Sequence, residues 1–353
     1  MTKYWKLQED VESDQLAIAE AAKMLISGQA VAFPTETVYG LGADAANTEA
    51  VRRIFTAKGR PSDNPLIVHI ADRSQLDGLV APYDDKLTKL MDAFWPGPMT
   101  LVLPVLAGSI SPLVTAGLTT VGIRIPDHSA ALQFLRAAQC PVAAPSANSS
   151  GRPSPTTASH VQEDLDGKIG GIVDGGPTGV GLESTVLQVV GDDIHILRPG
   201  GVTAEQLRAI WAGAVHEPKR EDSVFTSMEI PSSPGMKYTH YAPQGQMAIV
   251  QGASIQQVAA RIQADINEAK YRGETTGILT FEEHQSFYQA DLVIACGRLS
   301  EPSTIAQGLY AALRRFDEAG IRYIVAESCP ETGLGLAIMN RLSKAAGNQL
   351  IRI

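Results

Sequence analysis

At 353 residues the chain is long enough for two domains, and its 44% hydrophobic and 19% charged composition excludes wholesale disorder and fibrous repeats. Twenty-nine Lys plus Arg against 38 Asp plus Glu give a formal charge of -9, which excludes broad sequence-independent adhesion to nucleic acid or anionic membrane. Any anion it binds must therefore be held by a local basic site.

Leu16, Ile18, Ala22, Leu25 and Ile26 recur at helical spacing, and Gly28 stands where a helix end wants a left-handed residue. A strand at 30–34 follows and ends in the polar, glycine-bearing turn Thr35-Glu36-Thr37-Val38-Tyr39-Gly40-Leu41-Gly42. Next come a helix over 48–58, a strand at 65–70, a helix at 84–95, strands at 99–104 and 121–126, and a helix at 129–138. A strand from 142, a helix near 157–165 and a strand at 170–174 continue the alternation. Within 184–199, Gly191-Asp192-Asp193 joins two apolar runs as a hairpin, and Thr203 with Gln206 opens a helix over 204–211 as a capping box.

From 212 to 246 the periodicity breaks in a proline- and glycine-bearing polar stretch, too long for an ordinary connection. Beyond it short apolar strands alternate with helices over 255–270, 303–319 and 336–346, the pattern of a small parallel sheet covered on both faces. The expected organisation is an N-terminal open α/β domain over 1–211, a linker or lid over 212–246, and a doubly wound, Rossmann-like domain over 247–353. Cys140, Cys296 and Cys329 are in no metal-ligand spacing, the N-terminus is charged, and no run reaches a membrane span. A cytoplasmic protein without membrane contact is expected.

Three polar clusters interrupt the apolar pattern. Lys58-Gly59-Arg60-Pro61-Ser62-Asp63-Asn64-Pro65 ends a helix and, with Arg52 and Arg53, makes a local positive patch. It suits phosphate or carboxylate oxygens as well as it suits plain helix capping. Pro145-Ser146-Ala147-Asn148 and the Ser/Gly run to Ser154 follow a strand end, where open α/β sheets bind ligands. The glycine-rich segment 174–185 has Leu182-Glu183 where a phosphate loop needs Lys and Ser/Thr, so a Walker-type site is excluded. Arg124 alternates with Val121, Ile123 and Ile125 and points away from their face; for it and for Arg198, solvent is the default surrounding. No nucleophile elbow, zinc-protease motif or carboxylate cluster is present, which favours positioning and electrostatic stabilisation of phosphoryl transfer over covalent catalysis.

Taken together, Pro34-Thr35-Glu36-Thr37-Val38-Tyr39-Gly40-Leu41, Lys58-Gly59-Arg60-Pro61, Asn64-Pro65-Leu66, Trp95-Pro96-Gly97-Pro98-Met99-Thr100 and Pro145-Ser146-Ala147-Asn148 closely resemble the YrdC-like domain of threonylcarbamoyl-AMP synthases. The likeness continues through Glu183-Ser184-Thr185, Arg198-Pro199-Gly200, the linker's Lys237-Tyr238-Thr239-His240-Tyr241 and Met339-Asn340-Arg341-Leu342, as in the long two-domain form. The resemblance implies an enzyme, a nucleotidyltransferase, that makes L-threonylcarbamoyladenylate from L-threonine, bicarbonate and ATP with release of pyrophosphate. Partner proteins would transfer the product to position 37 of tRNA. It further implies Lys58, Arg60, Ser146 and Asn148 as catalytic signature residues, and Thr35, His69, Arg124, Ala144 and Ser184 around threonine. Lys58, Ser62, Thr120, Ser146, Ser154 and Arg198 would hold ATP, with His240 or Tyr241 closing over it and Mg2+ arriving on its phosphates. The competing reading is an RNA- or tRNA-binding module using Arg52, Arg53, Lys58 and Arg60; weak tRNA contact is compatible with either.

Overall fold

Short apolar strands separated by amphipathic helices assemble, in a computed structural model describing residues 1–8, 10–218 and 240–353, into two sheets, each in its own unit. The first begins with β1 (Lys3–Lys6), α1 (Val11–Ile26), β2 (Val31–Phe33), β3 (Gly40–Asp44), α2 (Thr48–Lys58) and β4 (Ile67–His69). It continues with α3 (Leu87–Phe94), β5 (Met99–Pro104), α4 (Pro112–Thr115), β6 (Thr120–Arg124), α5 (Ser129–Ala138) and β7 (Val142–Ala143). It closes with α6 (Ala158–Leu165), β8 (Gly171–Asp174), β9 (Thr185–Val190), β10 (Asp193–Arg198), α7 (Ala204–Ile210) and β11 (Val215–His216). These eleven strands form one mixed sheet, in the order β1-β8-β2-β3-β7-β4-β6-β5-β9-β10-β11.

Helix ends follow local chemistry. Asn47 caps α2 by accepting the Glu49 and Ala50 amides, and Gly59 ends it at φ +62. The face carrying Val51, Ile54 and Phe55 is buried in the main core, and the last residue of the helix, Lys58, is buried too. The capping box of Thr203 and Gln206 is formed as expected. β3 occupies residues that sequence alone renders as a turn. Its glycines are a packing requirement, since a Cβ on Gly42 would lie 2.8 Å from Val142 Cγ1 and 3.0 Å from the Phe33 ring. The linker stretch begins with the strand β11, which pairs parallel with Ile194 and His195 of β10 and is too short to show a period.

The second sheet is wholly parallel: β12 (Gln246–Gln251), β13 (Thr276–Thr280), β14 (Leu292–Ala295), β15 (Tyr323–Glu327) and β16 (Leu350–Arg352), ordered β14-β13-β15-β12-β16. It carries α8 (Ile255–Tyr271), α9 (Pro302–Glu318) and α10 (Leu334–Ala345), the doubly wound pattern anticipated from sequence. Besides the chain from His240 onward, this unit includes the short segments Gly151–Ser154 and Val180–Leu182. The three cysteines form no disulfide, and burial pushes each thiol up to about 12. Among the described residues no helix is long and apolar enough to cross a membrane.

Candidate functional site

The first unit gathers its buried polar residues at one end of the mixed sheet. β4 and β6 run parallel with His69 in register with Arg124, so both strands end at the same edge. β5 runs antiparallel to β6, and β9 parallel to β5, so Thr100 at the start of β5 and Ser184 just before β9 reach that edge too. Their hydroxyls are 2.7 Å apart.

Arg124 lies on the face opposite Val121 and Ile123, as alternation requires, but that face is covered and the residue is only 3% exposed. The cover is the turn after β2. Arg124 Nη2 donates to Glu36 Oε1 at 2.5 Å and Nη1 donates to Thr37 Oγ1 at 2.9 Å. Thr35 Oγ1 donates to the Val38 carbonyl and lies 2.8 Å from Thr37 Oγ1, which locks the turn. Arg198 is likewise buried, its guanidinium donating to the Ser184 carbonyl at 2.9 Å and to Ser184 Oγ at 3.3 Å. Solvation, the default for both arginines, is thus replaced by buried contacts to the polar turns around them. Gly200 lets this happen, because a Cβ there would lie 2.4 Å from the Glu183 carbonyl oxygen.

Lys58 is buried as well, so it takes no part in a surface patch. Its Nζ donates to the Ser146 carbonyl at 2.6 Å and to the Asn148 carbonyl, while Ser146 Oγ donates to Asn148 Oδ1 at 2.6 Å. Of the neighbouring arginines, Arg52 is exposed and paired with Glu49. The two signature clusters, distant in sequence, are therefore one structure. Arg60, half-buried, donates to the Asn64 and Pro65 carbonyls. Ala144 is buried with its amide on the Ile67 carbonyl, Thr120 is half-buried at the start of β6, and Ser62 is exposed on the turn after α2. Pro65, Leu66, Val102, Thr120 and Val186 line a small apolar depression.

Three buried polar atoms in and around the Arg124–Glu36 pair have no hydrogen-bond partner among the described residues: Glu36 Oε2, Arg124 Nε and His69 Nδ1. Buried polar groups are usually paired in folded proteins, so these atoms have bonding capacity to offer a ligand. Glu36, Thr37 and Thr100 carry no role in the sequence reading; their polarity in an apolar context is a signal, but only burial distinguishes them from turn formers. Burial, reinforced by the Arg124 guanidinium, holds the His69 imidazole well below its ordinary value, so the ring is neutral at pH 7. A neutral ring beside an ion pair can accept or donate one hydrogen bond without adding charge.

The remaining expected residues fall in the second unit. Ser154 is fully buried; His240 is half-buried, and Tyr241 is buried at φ +65 with its ring 5.6 Å from that of His240. Lys237, Tyr238, Thr239 and most of the expected lid lie outside the described residues.

Residues 23–200 match a family model described as "Telomere recombination", and residues 202–347 match one described as "Threonylcarbamoyl-AMP synthase, C-terminal domain". A threonylcarbamoyl-AMP synthase of Bacillus subtilis is 54% identical over 353 residues, covering 99% of each chain. A shorter protein of Mycobacterium tuberculosis, called a putative threonylcarbamoyl-AMP synthase, is 36% identical over 57% of this chain and 92% of its own length. Among solved structures, Pyrococcus abyssi Sua5 complexed with L-threonine superposes with a TM-score of 0.90 at 41% identity, covering 100% of this chain and 99% of that one.

Proposed function

The chain belongs to the threonylcarbamoyl-AMP synthase family in its two-domain form, and from that premise we propose that it condenses L-threonine, bicarbonate and ATP to L-threonylcarbamoyladenylate, releasing pyrophosphate. One observation carries the reading: the unpartnered buried atoms of Glu36, Arg124 and His69. A free amino acid is a zwitterion, and a buried Arg–Glu pair with one donor and one acceptor left over matches both of its ends. Arg124 takes the carboxylate and Glu36 Oε2 the ammonium, while Thr35, Ala144 and Ser184 close around the side chain. Neutral His69 supplies the remaining hydrogen bond.

The chemistry has two displacements. The amine, once it has lost a proton, attacks the bicarbonate carbon to form a carbamate with loss of water; a carbamate oxygen then attacks the α-phosphorus and pyrophosphate leaves. Both steps bring anions together, and Lys58, Arg60 and Arg198 lower that repulsion locally in a protein of charge -9. Ser62, Thr120, Ser146 and Ser154 are assigned to ATP, and Asn148 completes the signature cluster with Ser146. Mg2+ would arrive with ATP and offset part of the triphosphate charge. His240 and Tyr241 belong to the segment assigned to closing over the nucleotide and keeping water from the adenylate.

The enzyme works in the cytoplasm as a nucleotidyltransferase and hands its product to the tRNA threonylcarbamoyl-transfer machinery, with at most weak tRNA contact of its own. The test uses the purified full chain without tRNA. Pyrophosphate release from ATP that requires both threonine and bicarbonate is the expected result; folded protein without that activity sinks the proposal in favour of an RNA-binding role.

A further inference from the structure

The two short segments that join the second unit are continuations of site loops. Two residues separate Asn148 from Gly151–Ser154, and Val180–Leu182 runs directly into Glu183 and Ser184. α9 grips each by a different device. Arg314 on this helix is fully buried and donates through Nη2 to the Pro153 carbonyl at 2.6 Å, a short charge-assisted bond. Gly181 has φ +80, and a Cβ there would lie 2.4 Å from Gln307 Cα and 2.5 Å from the Ala306 carbonyl oxygen, so the helix backbone rests directly on this glycine.

The opposite end of the first segment is held as well. The Ala242 amide donates to the Gly151 carbonyl at 2.9 Å. Tyr241, just before it, packs its ring 5.2 Å from that of Tyr310 on α9, with the Arg341 guanidinium of α10 at 5.8 Å. Burying a guanidinium completely is costly, and an apolar side chain of equal volume would serve packing alone at lower cost. What the apolar side chain could not do is fix a loop carbonyl in direction and distance.

We propose that α9 is a positioning element for both substrate subsites: Arg314 sets the ATP-binding loop through Pro153 and Ser154, and the Gly181 contact sets the threonine-binding loop through Leu182 and Ser184. The proposal rests on the synthase reading above. Because neither grip touches a reacting atom, its loss appears in KM and leaves kcat nearly unchanged, and each grip governs its own substrate.

The experiment measures initial rates of the full chain with each substrate varied in turn, beside hydrogen–deuterium exchange of the 149–156 backbone. For Arg314→Met the KM for ATP rises about tenfold, the KM for threonine stays within about twofold, and amides of 149–156 exchange faster. Gly181→Ala reverses the split, raising the KM for threonine. Arg314→Lys, which keeps a charged donor, restores most of the ATP affinity. Equal rises in both KM values, or folded variants with wild-type constants and exchange, overturn the proposal. Should Arg314→Met fail to fold, an unsplit response in Gly181→Ala, with the two KM values rising equally or neither changing, overturns it equally. An inactive wild-type chain would instead indict the synthase reading, so the two failures are distinct.

Discussion

The most consequential single residue is Lys58, because its ammonium ties the end of α2 to the loop after β7 through two carbonyls. Its contacts with the Ser146 and Asn148 carbonyls mean that truncation removes a cation and also orphans buried acceptors. Lys58→Ala is expected to lower kcat/KM at least about 100-fold and to cost about 1–3 kcal/mol of stability, read by steady-state rates and urea unfolding. His69 offers a complementary test through pH. Its folded value lies well below the ordinary 6.5, so below about pH 6.5 the unfolded chain binds a proton that the folded chain refuses. Stability therefore falls as pH drops through that window, by at most about 1.4 kcal/mol per pH unit from this site, and is flat above it. His69→Gln should show a shallower loss of urea midpoint between pH 7.5 and 5.5. Some slope remains, since burial also lowers His128.

At the scale of elements, legibility tracked how much periodicity a segment could display. The helix over 48–58, the strand at 99–104 and the helix over 129–138 coincide with their sequence reading, each having apolar residues enough to define a period. β3 is hidden because its small residues read as a turn, and β1, β11 and β16 because two to four residues define nothing. The site was half legible for the same reason: Lys58, Arg60, Ser146 and Asn148 announce themselves as polar clusters, whereas burial of Arg124 and Arg198 depends on turns arriving from elsewhere. The Arg198-Pro199-Gly200 turn shows how close that arrival is. Gly200→Ala would force a Cβ against Glu183, Ser184 and Thr185. Overpacking of this kind costs about 1–3 kcal/mol, and displacement of Ser184 should raise the KM for threonine more than that for ATP.

For the whole molecule, the chain order and the spatial order disagree in an informative way. β1 pairs with β8, joining Lys3 to Gly171, so the large sheet is complete only when most of its sequence is present. The second unit departs further from chain order, since Gly151–Ser154 and Val180–Leu182 belong with residues beyond 240. Domain boundaries drawn along a sequence miss this, because linear composition cannot show that a loop has been claimed by a distant helix.

That loan of loops has a consequence for how the protein comes into being. During synthesis the ribosome makes Ser154 long before Arg314, 160 residues later (314 − 154), and at about 5–20 residues per second the interval is on the order of 10–30 s. Through that time the nascent first unit has its sheet but not the helix that fixes its nucleotide loop. Substrate affinity thus matures last, and a truncated or stalled chain would be left folded in its larger part yet poorly able to engage ATP.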